Sequence, residues 1–354
     1  MKTIKIFFTS LCLIFCFTSC FKDAEEEEYR QYDGEDYGLY VLCEGTGADN
    51  NSALSYYSFK DSLSILDYFK EGLGKNANDM IKVGEELYIV VTESACVWVL
   101  DKNTGSQIAR IEITDEQGNN RKPRHLTYYD GYIYVSCWDA SVVKISKKTH
   151  LITEICSTLG RYPEGIAIAN NKIYVANSGG LDYPNYDKTV SVIDVNSFSF
   201  EKKIEVGENP QTLKAYKNKI YVLSTGNYMV TPTLTVINNS EVEKQISMNI
   251  ADFDFWENKM YFFYTSPYAD PTSNKDFNFS YLDINNLDEP AKVLREQTLS
   301  GMVMPYHISI IGNTIFISDA KNFNSAGEVF ALDTLGNLRY KFPTLINPSK
   351  VVQK

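Results

Sequence analysis

The sequence predicts an all-β fold, a seven-bladed β-propeller of four-stranded blades whose ring is closed by the C-terminal strand pairing into blade 1. Three observations predict it. A short strand motif recurs seven times, a proline-led strand and a tight turn precede most copies, and the chain ends on a fragment that the first repeat lacks.

The motif reads LYVLC (39–43), LYIVV (87–91), IYVSC (133–137), IYVAN (173–177), IYVLS (220–224), MYFFY (260–264) and IFISD (315–319). Its second position is always aromatic: Tyr40, Tyr88, Tyr134, Tyr174, Tyr221, Tyr261 and Phe316, at steps of 48, 46, 40, 47, 40 and 55 residues. A period near 45 with several short strands per unit is the signature of a propeller blade.

Each unit follows one plan. A proline precedes an apolar strand, as at Pro123, Pro163, Pro210 and Pro305. A tight turn follows, Asp130-Gly131, Asn170-Asn171 or Gly312-Asn313, built from residues that accept the left-handed backbone of a two-residue hairpin. Then come the motif strand, a variable loop, a third strand such as Val190 to Val195 and a fourth such as Phe200 to Val206. The final Asn347-Pro348-Ser349-Lys350-Val351-Val352 looks like the first strand of a further unit, and the unit beginning near Tyr37 has none. Pairing the two removes two open sheet edges.

Before the repeats, residues 1–19 read as a signal peptide: Lys2 and Lys5, an apolar run from Ile6 to Phe17, then Thr18-Ser19-Cys20. Small residues directly before a cysteine suit a lipoprotein peptidase, so Cys20 is expected to carry lipid and hold the chain on a membrane. An ordinary secretory signal cut elsewhere is the alternative. Residues 20–36, with Glu25 to Glu28, form a charged tether too polar to bury a core. The propeller occupies 37–354.

Composition narrows the function classes. A net charge of -11 argues against nucleic-acid binding, which needs clustered Lys and Arg. Three histidines leave little material for a His-based metal site or triad, and no nucleophile–base pair is visible, so neither catalytic nor metal-ligating residues are assigned. Beyond Cys20, the cysteines 43, 96, 137 and 156 have no CxxC spacing. They are read mainly as small buried apolar residues, with a disulfide as the alternative.

Alternating strand direction sorts the loops by face. The proline turns and the loops between second and third strands share one rim, and the tight hairpins lie on the other. Long second-to-third loops run from Glu44 to Ser52, Asn177 to Lys188, Thr225 to Pro232, Thr265 to Asn278 and Asp319 to Gly327. Long loops on a rigid scaffold commonly carry binding. They hold Tyr183, Tyr186, Tyr228, Tyr268, Phe277 and Phe323 among Asn50, Asn51, Asn185, Asn227, Asn274, Asn322 and Asn324. The positions after the prolines place Arg124, His125, Glu164, Gln211, Tyr306, His307 and Lys350 near the channel mouth. Trp138 is expected to reach the same rim, whereas Trp98 and Trp256 read as packing residues. Aromatic platforms with an amide fringe suit a large amphipathic ligand. Taken one at a time, these residues read better as loop-tolerant side chains and water-binding polars; the face taken as a whole reads as a binding surface.

Two resemblances extend this reading. Lys22-Asp23 and the acids behind Cys20 resemble the surface-export signal of Bacteroidetes lipoproteins, which implies an outer-membrane location facing the exterior. The run LYVLCEGTGADNNSALSYYSF (39–59), with Cys43 where Asn is usual, and PxxI…NNKIYVANSG (163–179) resemble the YncE-like surface-layer propellers of Bacteroidetes over residues 37–354. Within that group the cobalamin-capturing BtuG type passes its vitamin to a TonB-dependent outer-membrane transporter. The resemblance therefore implies corrinoid capture, with cobalamin as ligand rather than cofactor, and carries over no single binding residue. His125 or His307, placed near the channel mouth, is a candidate to approach cobalt, with a hydrogen-bonding role as the alternative. Fold alone does not fix a ligand.

Three function classes remain. The first is capture of an amphipathic nutrient, a corrinoid leading and an oligosaccharide or siderophore behind it. The second is a metal-dependent, lactonase-like hydrolase using Glu164, Asp79 and Gln211, although Arg124, His125 and Lys350 at equivalent positions repel a cation. The third is a carbohydrate-binding or adhesion propeller of the cell surface.

Overall fold

The computed structural model describes residues 37–227, 229–265 and 277–354. The signal peptide, Cys20, the tether, Tyr228, Tyr268 and Asn274 lie outside the described residues. The described chain is built of strands, turns and loops, and its 28 strands form seven four-stranded antiparallel sheets. The innermost strands are Pro348–Gln353, Ala77–Val83, Pro123–Tyr129, Pro163–Ala169, Pro210–Tyr216, Asp252–Trp256 and Pro305–Ile311, in blades 1 to 7. Each lies against the next around a closed circle.

Closure occurs where the sequence places it. Gly38–Cys43 pairs with the C-terminal strand in the register Leu39–Gln353, Tyr40–Val352, Val41–Val351 and Leu42–Lys350. Blade 1 is thus built from both ends of the described chain.

The core is divided among the seven blade interfaces, each with its own buried apolar cluster. The repeated aromatic explains its own recurrence. Tyr40, Tyr88, Tyr134, Tyr174, Tyr221, Tyr261 and Phe316 are all buried, each packed toward the following blade. Several tyrosine hydroxyls find polar partners at the far end: Tyr40 donates to the Lys102 carbonyl, Tyr88 to Glu86 Oε2 at 2.7 Å, and Tyr174 Oη lies 2.8 Å from Ser240 Oγ. Tyr40 and Tyr174 cross to the next blade in this way, and a ring that spans the interface and ends on a polar partner suits tyrosine better than an aliphatic residue.

Cys43, Cys96, Cys137 and Cys156 are free thiols buried in these clusters, which settles the choice against a disulfide among them. Trp98 packs edge-on to Phe69 and donates Nε1–H to the Leu73 carbonyl at 2.8 Å. Trp256 ends its strand at the opposite rim, against the blade 6–7 core.

Candidate functional site

The innermost strands share a device that the sequence does not announce. In six of the seven, the pairing slips just after the first residue: Ala77 pairs with Val91 and Asp79 with Val90, Pro123 with Cys137 and Leu126 with Val135, Pro163 with Asn177 and Ile166 with Val175. The same slip follows Pro210, Pro305 and Pro348. Each is a β-bulge, which bends a strand and re-aims the side chains beside it. The residues left over are Asn78, Arg124 with His125, Glu164 with Gly165, Gln211, Tyr306 and Ser349. Proline tolerates the first position because its missing N–H costs no ladder bond there. The residue before it is left-handed at Lys122, Tyr162, Asn209 and Asn347, as is Asn76 before Ala77.

These bulges line a cavity of about 590 Å³ at the axis, with walls from all seven blades. Arg124, His125, Glu164, Gln211, Tyr306, His307 and Lys350, the residues expected at the channel mouth, all line it, and Asp79, Glu44, Asp252 and Lys214 join them. Gly165 lets two blades close up here. A Cβ on it would stand 2.7 Å from both the Gln211 carbonyl oxygen and the Leu213 nitrogen.

The lining is a charge network. Glu164 accepts Nε–H of Arg124 at 2.8 Å and Nε1–H of Trp138 at 2.9 Å, and the Arg124 guanidinium lies 4.6 Å from the Trp138 ring centre. His125 stands between two carboxylates, Nδ1 at 3.4 Å from Asp79 and Nε2 at 3.6 Å from Glu164. Lys350 reaches Asp79 at 3.2 Å, and His307 Nδ1 reaches Asp252 at 2.7 Å. Tyr306 donates its hydroxyl to Glu44 at 2.8 Å.

Burial and pairing compete at each group. Burial pushes Glu164 upward, but Arg124 and His125 outweigh it and hold its pKa at about 2. Asp79 and Asp252 are likewise depressed against burial, by Lys350 with His125 and by His307 with Lys214. Burial would lower His125, yet Asp79 and Glu164 raise it above an ordinary histidine. Glu44 goes the other way: burial raises it, and the Tyr306 hydroxyl and Arg124 offset only part of that.

The loop residues divide. Trp138 faces the rim, stacked on Arg124 and edge-on to Tyr162. Phe323 packs edge-on to Tyr306 with ring centres 5.6 Å apart, and Tyr183 lies 6.1 Å from Tyr186; Tyr183 and Phe323 are exposed. Asn50 is exposed in its loop. Phe277 corrects the expectation. It begins the third strand of blade 6 and is buried against Phe263, because the strand starts two residues earlier than the loop reading placed it.

Several amides also turn inward to their own loops. Asn227 accepts the Met229 and Val230 N–H groups, Asn322 those of Asn324 and Ser325, and Asn51 that of Thr46. Asn324 donates Nδ2–H to the Asn322 carbonyl. At Asn227 and Asn322 the acceptor lies two or three residues before the N–H, which makes an Asx turn, and Asn51 closes its loop from the far end, so these amides shape loops. Both ring nitrogens of His125 face carboxylates, Nδ1 that of Asp79 and Nε2 that of Glu164. Among the described residues, no three His, Cys, Asp or Glu side chains gather to hold a metal ion.

Fold and site together define a seven-bladed β-propeller with a charged axial cavity beneath a partly aromatic rim. No protein-family model matches the chain, and no curated protein matches its sequence. Solved structures share the fold. A putative 6-phosphogluconolactonase from Bacteroides uniformis superposes with a TM-score of 0.63 at 12% identity, covering 90% of this chain and 100% of that one. A quinoprotein alcohol dehydrogenase-like protein from Bacteroides thetaiotaomicron gives 0.63 at 13%, covering 90% and 78%. Hydrazine synthase of Kuenenia stuttgartiensis gives 0.62 at 15%, covering 75% and 86%. At such identities the likeness is one of architecture.

Proposed function

We propose that this chain is a lipid-anchored, surface-exposed binding protein of the outer membrane. It captures a large amphipathic nutrient, a corrinoid first among the candidates, and passes it to a TonB-dependent outer-membrane transporter. The observation that carries this reading is the rim. Trp138, Tyr183, Tyr186 and Phe323 come from three blades, and all sit in the loops after second strands; Trp138 packs on Arg124 and Phe323 on Tyr306, both of which line the cavity. A corrin has a broad apolar face for such rings and peripheral amides for the polar lining beneath them. The hydrolase reading is less well served. Its carboxylates lie withdrawn into the wall, with Arg124, His125 and Lys350 placed between them and any cation.

Gel filtration after incubation with cyanocobalamin tests the ligand. Pink colour co-eluting with the protein supports the corrinoid, and no retained colour at micromolar protein rejects it. A Cys20→Ser chain released from the membrane fraction supports the anchor; one that stays membrane-bound rejects it.

A further inference from the structure

The charges around the axial cavity are arranged in two tiers. Three of the carboxylates are withdrawn: the side chains of Asp79, Glu164 and Asp252 are 8%, 3% and 7% exposed, whereas Glu44 is half-buried and takes the Tyr306 hydroxyl. The cations stand forward: Arg124 is 18% exposed, His125 30% and Lys350 29%. All of them line the same cavity, so this exposure is turned toward it.

Hydrogen-bond capacity is divided the same way. Asp79 Oδ1 takes the Met80 N–H and lies by Lys350, while Oδ2 takes the Leu126 N–H and lies by His125. Glu164 spends Oε1 on Trp138 and Oε2 on Arg124. Arg124 has five N–H donors. Among the described residues it spends Nε–H on Glu164 and one amino group on Thr92 Oγ1 at 3.3 Å. The Lys350 ammonium has three donors and meets only Asp79 there. Every oxygen of Asp79 and Glu164 has a partner, and donors remain on Arg124 and Lys350, in a chain whose net charge is -11.

Two carboxylates join the cations into one arc. Asp79 of blade 2 bridges Lys350 of blade 1 and His125 of blade 3, and Glu164 of blade 4 bridges Arg124 and His125 of blade 3. Bridged in this way, the cations are held together despite their repulsion and keep donors free for a ligand rich in acceptors.

We propose that the Arg124–His125–Lys350 arc is a binding site for a compact, multiply charged oxyanion, a phosphate or a polycarboxylate. Arg124 supplies the planar fork and Lys350 the mobile point charge. The site stands apart from the rim reading, since it needs no aromatic surface and no corrinoid.

Calorimetric titration of the mature chain with inorganic phosphate and with citrate, against uncharged glucose, tests it. Saturable binding of either anion without binding of glucose is expected. Phosphate alone marks a phosphoryl ligand, and citrate alone a polycarboxylate. Lys350→Gln and Arg124→Lys should each weaken binding by about tenfold. The unmutated protein gives a second test, because the chain has three histidines and His150 lies on the opposite rim beside Glu86. The anion should move the imidazole nitrogen resonances of His125 and leave those of His150 in place. No saturation at millimolar anion, or saturation with His125 unmoved, overturns the proposal, whatever cyanocobalamin does at the rim.

Discussion

The imidazole of His125 on blade 3 holds its Nδ1 3.4 Å from the carboxylate of Asp79 on blade 2. The pair crosses a blade boundary at the axis, so its ionisation is linked to the integrity of the ring. Glu164 faces the other ring nitrogen, Lys350 and Arg124 are the adjoining cations, and Asn78 donates nearby.

Stability should therefore fall on both sides of neutrality. The folded His125 has a raised pKa, so its stabilising share is complete below the unfolded value of about 6.5 and is lost as pH climbs through the folded value. Glu164, Asp79 and Asp252 are depressed, so their share is present above about 4 and lost as pH drops through their folded values, about 2 for Glu164. Melting temperature measured across pH should form a dome, and His125→Asn should flatten its alkaline limb. An unchanged alkaline limb in that variant would show that the imidazole is not linked to folding.

Glu164→Gln should be costly. The substitution removes the charge that Arg124 and His125 face while keeping the side-chain volume, and uncompensated charge in a buried site costs about 3 kcal/mol. Lys202→Gln breaks the exposed pair with Glu241 and should cost less than about 0.5 kcal/mol. Urea unfolding at unchanged m-value separates the two. Equal midpoints would mean that the Glu164 network is no more than surface decoration.

Gly165→Ala tests the close approach of blades 4 and 5. The new methyl would meet backbone atoms of Gln211 and Leu213, which cannot swing aside as a side chain can. We expect a loss of about 2 kcal/mol in urea unfolding, and full wild-type stability would show that the blades have slack there.

How much of this was legible is clearest from single residues. Tyr174 and its six counterparts show the repeat because packing between blades demands one ring at one register position. Lys350 was readable as part of a closing strand because an unmatched strand must find an edge. The cavity lining followed from the prolines, yet the bulges that aim it did not, since a one-residue slip leaves no periodic trace. Phe277 misled because a loop boundary two residues out turns a core residue into a rim residue. Asn227 and Asn322 misled because an Asx-turn amide and a ligand-binding amide look alike in sequence.

Phe323→Ala and Tyr183→Ala bear on the rim alone. Both side chains are exposed, so unfolding midpoints should stay within about 0.5 kcal/mol of the parent. Affinity for the captured nutrient, measured with cyanocobalamin, should fall about tenfold for each, as for aromatic anchors in other interfaces. Undiminished retention of colour in both would remove these rings from the capture surface.

The last strand joins architecture to chemistry, because pairing Leu42 with Lys350 closes the ring and delivers a cation to the cavity in the same step. Two changes separate those roles. Removing residues 348–354 strips blade 1 of its innermost strand, exposes the edge of Gly38–Cys43 and leaves the buried Val351 position empty. The truncated chain should lose cooperative unfolding and aggregate, as open edges do. Lys350→Gln keeps the ladder, and Asp79 keeps His125 beside it, so this variant should unfold cooperatively with the parental m-value. A truncated chain that stays monomeric and melts like the parent would mean that the ring does not depend on this strand.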